Sequence, residues 1–145
     1  ATTFFSYQFG SAEDIVDLAL ASKVRFKLQF FLGQGQRGFD RQPHSEIELA
    51  INMKAESYRG YPPVYIVDDM NGDRAMDLVV RTDEDKLAVY VSQGQMRFAR
   101  SPAFETSVPA DSSIEFEDLN ADGLADLIVG SKMGASVTVY LAVAR

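Results

Sequence analysis

The chain has 145 residues (16.0 kDa), 46% hydrophobic and 24% charged, a balance that fits one folded domain or a few small repeats and excludes a disordered chain. A net charge of −7 and a pI near 4.6, without any Lys/Arg cluster, argue against nucleic acid or an anionic membrane as the main partner, since both need a basic footprint. Zero cysteines exclude disulfides, zinc-thiolate sites and thiol nucleophiles, and no apolar run reaches the roughly 18 residues of a membrane span.

In chain order, the first stretch with a pattern is Ser11 to Leu20, where Ser-Ala-Glu-Asp could cap a helix. Alignment with later segments instead puts Asp17 to Ala21 on a strand. Gly33-Gln-Gly-Gln-Arg-Gly-Phe39 follows as a turn between strands, with no helix N-terminus to receive a phosphate. His44, the single histidine, is expected on a surface loop. After the polar stretch Asn52 to Gly60 come short β-branched or aromatic runs: Val64 to Asp68, Asp77 to Thr82, Leu87 to Val91 and Arg97 to Arg100.

Much of this pattern returns. Asp69-Met-Asn71-Gly-Asp73-Arg-Ala-Met-Asp77-Leu-Val-Val recurs 49 residues on as Asp118-Leu-Asn120-Ala-Asp122-Gly-Leu-Ala-Asp126-Leu-Ile-Val, and Leu87-Ala-Val-Tyr90-Val returns as Val137-Thr-Val-Tyr140-Leu. A weaker N-terminal copy matches Asp17 to Asp77 and the Gly33 turn to Ser92-Gln-Gly-Gln-Met-Arg-Phe98. Four short strands per unit of about 50 residues are the mark of a propeller blade. The predicted fold is therefore all-β, with blades of four antiparallel strands at about residues 2–51, 64–105 and 113–143, the third short by one strand. About four blades are the minimum for closure, so the segment is expected to belong to a larger propeller, completed by other blades or other subunits. The open edge would lie at Val137 to Val143.

The acidic loops carry the chemistry. Asp69, Asn71, Asp73 and Asp77 stand at positions 1, 3, 5 and 9, as do Asp118, Asn120, Asp122 and Asp126. Oxygen-only donors at alternating positions suit a hard cation such as Ca²⁺, with the carbonyls of Ala75 and Leu124 at position 7. Three carboxylates in nine residues repel one another unless a divalent ion neutralises them. An EF-hand is excluded, because position 12 is Val80 or Val129 rather than Glu. Asp/Asn/Gly hairpin loops of this composition also form without metal. Of two Ca²⁺ sites, the Asp118 to Asp126 loop is expected to be the stronger, since Gly123 holds position 6 where the first loop has Arg74. The corresponding N-terminal residues Phe9, Ser11, Glu13 and Asp17 offer only two carboxylates, too few for a metal.

These residues resemble the FG-GAP and VCBS repeats, the calcium-loop blades of integrin α-chain propellers and of many secreted bacterial proteins. The likeness rests on Asp-x-Asn-x-Asp-x-x-x-Asp-Leu in both loops and on the Gly-x-Gly-x-x-x-Phe turn, with serine first at Ser92. It implies a non-catalytic, calcium-stabilised propeller module, a structural or protein-interaction scaffold outside the cytoplasm, whether secreted, periplasmic or on the cell surface. Millimolar extracellular calcium would fill such loops. The family usually has about seven blades, and this chain has fewer than three. Two alternatives stay open. Tyr58, Arg59 and Tyr61, in an irregular aromatic loop, could contact a glycan or protein partner, making a carbohydrate-binding propeller. The blades could instead be accessory to a larger secreted hydrolase. Tyr90 and Tyr140, repeat-equivalent, are expected to pack between blades, and Ala1-Thr-Thr could be what signal-peptide cleavage leaves.

Overall fold

A computed structural model describes residues 3–9, 23–52, 64–131 and 133–144. Contacts divide the chain into two units, Ala1–Arg59 and Gly60–Arg145. The described residues are all-β, in antiparallel sheets, with one three-residue 3-10 turn.

In the first unit β1 (Thr3–Phe9) pairs β2 (Lys23–Leu32), which pairs β3 (Ser45–Asn52). On β3 every second residue, Ile47, Leu49 and Ile51, is buried while Glu46, Glu48 and Ala50 face water, the period-2 pattern of a strand with one wet face. On that wet face Glu46 accepts a hydrogen bond from Gln29 and pairs Lys27 at 3.2 Å. After β2 the chain turns through Gly35–Arg37, and Gly33 bridges Phe39. His44 is half-buried, contrary to expectation: its N–H donates to the Phe30 carbonyl at 2.7 Å, and Nε2 is buried with no hydrogen-bond partner. The helix-or-strand question at Ser11 to Leu20, the weak loop copy through Asp17 and the polar stretch after Asn52 fall outside the described residues.

The second unit holds one four-stranded and one three-stranded blade. In the first of these β4 (Val64–Val67), β5 (Asp77–Asp83), β6 (Lys86–Tyr90) and β7 (Phe104–Ser107) pair in sequence order. β5 is buried at Asp77, Leu78, Val79 and Val80 in succession, as a central strand covered on both faces must be. The fourth strand lies later than predicted. Arg97 to Arg100 makes only the isolated Ser92 to Phe98 bridge, because this segment closes the turn, as Phe39 does for Gly33, before the chain reaches β7. In the next blade β8 (Ser112–Glu117), β9 (Asp126–Ser131) and β10 (Ser136–Tyr140) pair in order, and the strand count of three matches the prediction.

Side chains of both blades share one core: Val67, Val79, Leu87 and Val89 from one, Ile114, Leu127 and Val129 from the other, with Val108 and Ala125. Tyr65 and Phe116 meet across it with ring centroids 5.6 Å apart. A buried side chain of this size contributes about 1.5–3 kcal/mol, so this core holds the two blades as one body. β10 contributes nothing to it, all five of its residues being exposed.

Candidate metal centres

Each acidic loop joins the first two strands of its blade, β4 to β5 and β8 to β9. In the first, Asp69 organises the turn. Its Oδ1 accepts the N–H groups of Asn71 (3.0 Å), Gly72 (2.7 Å) and Asp73 (3.2 Å), and its Oδ2 accepts that of Arg74 (2.7 Å). Burial disfavours ionisation of Asp69, but these bonds, Arg74's foremost, outweigh it and hold the carboxyl below the usual range. Asp73 accepts the Ala75 N–H at 2.8 Å and the Asn71 side-chain amide at 3.1 Å.

The second loop repeats this with fewer bonds. Asp118 accepts only Asp122 (3.1 Å) and Gly123 (2.9 Å), while Asp122 accepts the Leu124 N–H at 2.9 Å and the Asn120 amide at 3.0 Å. A carboxylate has about four lone-pair positions. Asp69 takes three N–H groups on Oδ1 and one on Oδ2, whereas Asp118 takes one on each oxygen.

The ninth residue differs in kind from the others. Asp77 and Asp126 are fully buried, at 0% exposure each. Asp77 accepts the N–H of Met70 on one oxygen and of Ser92 on the other, both at 2.9 Å. Asp126 accepts those of Leu119 (3.0 Å) and Ala142 (2.8 Å). Each therefore ties the start of its own loop to the segment just past the blade's third strand. Burial, opposed by the Ser92 and Met70 bonds and assisted by the charges of Asp73 and Asp69, raises the Asp77 pKa. Sequence reasoning missed the partners Ser92 and Ala142, although a signal exists: each stands two residues after the repeated tyrosine, Tyr90 or Tyr140.

Both loops need a left-handed backbone at positions 4 and 6. The first has Gly72 (φ 92°) and Arg74 (φ 66°), the second Ala121 (φ 59°) and Gly123 (φ 86°). Each loop thus carries one glycine and one strained residue, about 1 kcal/mol apiece, so the expected difference in backbone strain cancels. What still separates the loops is the charge of Arg74 and the more heavily bonded Asp69 carboxylate. The loops also touch, the Ala125 N–H donating to the Asp69 carbonyl at 2.8 Å.

Among the described residues no group of three acidic side chains stands close enough to hold an ion, because the carboxylates point at the loops' own N–H groups. The donor chemistry nevertheless fits a hard cation best in the second loop, where Asp118, Asn120 and Asp122 are exposed oxygen donors with acceptor capacity to spare. Of the position-7 residues, Ala75 is half-buried and Leu124 buried.

The other candidate residues are less connected. Tyr58, Arg59 and Tyr61 lie outside the described residues. Tyr90 is buried, as expected, and burial raises its pKa, but Tyr140 is 46% exposed because, among the described residues, no strand pairs β10 on its outer side. Tyr140 lines an apolar cavity of about 550 Å³ with Met70, Phe104, Leu127 and Leu141.

Compared with known families, residues 69–129 match the FG-GAP-like repeat, a span that runs from the start of the first acidic loop into β9 behind the second. No curated protein and no solved structure matches the chain.

Proposed function

We propose, from the FG-GAP-like repeat carried by residues 69–129, that this chain is a non-catalytic, calcium-stabilised stretch of a β-propeller, serving as a structural and protein-interaction module of a secreted, periplasmic or cell-surface protein. The observation that carries this reading is one loop architecture built twice. Asp69, Asn71 and Asp73 correspond to Asp118, Asn120 and Asp122 in position and in hydrogen bonding, each set anchored by a buried aspartate. The residues that would hold Ca²⁺ are these, with Asp77, Asp126 and the Ala75 and Leu124 carbonyls. The ion would supply positive charge where six carboxylates gather, and no chemistry beyond that. Extracellular calcium is abundant enough for loops of modest affinity, which supports a place outside the cytoplasm.

A scaffold role is supported by the open edge of the last blade, which has three strands among the described residues. β10 is an edge strand with Val137, Val139 and Tyr140 exposed, and a strand from another blade or subunit would cover it. Thermal melts in EDTA and in excess CaCl₂ test the calcium reading. Calcium at about 100 times its dissociation constant adds roughly 2.7 kcal/mol per site, a clear rise in Tm. Equal melting temperatures would refute it.

A further inference from the structure

We propose that Arg74 is a resident counter-ion that competes with calcium for the second loop, so that a side chain of one blade sets the metal affinity of the next. This rests on the calcium reading above. The two loops face each other across two cavities, of about 590 and 710 Å³. Asp68, Asp69, Glu117 and Asp118 line the first, and Asp69 and Asp122 line the second. Arg74 lines both, as the one cation among the residues that do. Its backbone is fixed there, N–H to Asp69 Oδ2 at 2.7 Å with φ 66°, while its exposed guanidinium has no ion pair among the described residues.

Five carboxylates and one guanidinium without an ion pair among the described residues therefore line these cavities. Without metal the guanidinium lowers their mutual repulsion and stabilises the fold. When a divalent ion enters among Asp118, Asn120 and Asp122 the same charge repels it. The two effects have opposite signs in the two states, which separates this role from ordinary structural support. The interaction crosses wet cavities, so it is screened by salt. Placement at position 6 explains why the effect reaches the neighbouring loop: a glycine there, as at Gly123, would leave the cavity with no cation.

The test is a calcium titration of the full chain followed by NMR at low salt, with the Gly123 amide as reporter, since it donates to Asp118 Oδ2. Arg74→Gln keeps a non-glycine residue at the strained position and removes the charge, whereas Arg74→Lys keeps the charge. Arg74→Gln is expected to tighten calcium binding at Gly123 roughly three- to tenfold, a gain that shrinks at about 0.5 M KCl, with Arg74→Lys within about twofold of wild type. In EDTA Arg74→Gln should melt below wild type, and in saturating calcium at or above it. If wild type binds calcium and Arg74→Gln binds no tighter, the role of Arg74 is overturned while the calcium reading stands. A Tm lowered equally in both conditions also overturns it. If neither protein binds calcium, both readings fall.

Discussion

The backbone N–H of Ser92 lies 2.9 Å from Oδ1 of Asp77, joining residues 15 positions apart in a fully buried hydrogen bond. Ala142 and Asp126 repeat it at 2.8 Å in the next blade. The ninth loop residue is thus a structural clamp whether or not a metal is present. Asp77→Ala would orphan the Met70 and Ser92 donors and is expected to cost about 2–4 kcal/mol in urea unfolding measured in EDTA. A loss under about 0.5 kcal/mol would show that the clamp is dispensable.

The pH dependence of that clamp has a definite sign. Burial raises the Asp77 pKa above its ordinary 3.8, so the folded chain holds this proton more tightly than the unfolded chain. The stability it contributes is complete below 3.8 and is lost as pH rises through the folded value. Asp69, lowered from 3.8, contributes in the opposite sense, and its charge is one of those that raise Asp77. In EDTA, wild-type Tm minus Asp77→Asn Tm should therefore fall as pH rises above 3.8. A difference that is flat or rises with pH contradicts the assignment.

The two loops should respond unequally to calcium. Asp118 accepts two loop N–H groups where Asp69 accepts four, so Asp122→Ala should remove more of the calcium-induced rise in Tm than Asp73→Ala. The reverse order, read by differential scanning calorimetry with and without calcium, would show that the more heavily bonded Asp69 carboxylate is no handicap.

Arg81 on β5 fastens the turn between β7 and β8. Its Nη1 donates to the Ser112 carbonyl (3.0 Å) and its Nη2 to the Pro109 carbonyl (3.1 Å) and Ser112 Oγ (2.7 Å). Arg81→Met should cost about 1–3 kcal/mol, and Arg81→Lys should not restore it, since an ammonium cannot span three acceptors in a plane. Equal stability of Lys and Arg in urea unfolding would discount the fork geometry.

The open edge predicts self-association. Val137, Val139, Tyr140, Leu141 and Val143 are 44–75% exposed along and just after β10. Light scattering on the isolated chain should show a mass that rises with concentration, and Val139→Lys should reduce it at little cost in stability. A 16.0 kDa monomer at all concentrations would mean that this edge needs no partner.

Much of this protein was legible in the sequence for one reason: its information is repeated. The Asp-x-Asn-x-Asp-x-x-x-Asp register placed both loops between the first two strands of their blades, and Gly33 and Ser92 turns of equal length close on Phe39 and Phe98 as the alignment required. Local patterns of this kind reflect neighbours in the chain, where composition and backbone preference act directly. The fourth strand at Phe104–Ser107 was misplaced because Phe98 and Phe104 are equally aromatic, and only pairing with β6 distinguishes a bridge from a strand. The fuller bonding of Asp69 than of Asp118 and the left-handed Ala121 are local loop geometry, whereas the clamps from Ser92 and Ala142 depend on tertiary structure alone. Each depends on which N–H group reaches which oxygen in the folded chain. Hydrogen bonds between residues 15 or more positions apart are set by how the strands pack, which no local pattern encodes.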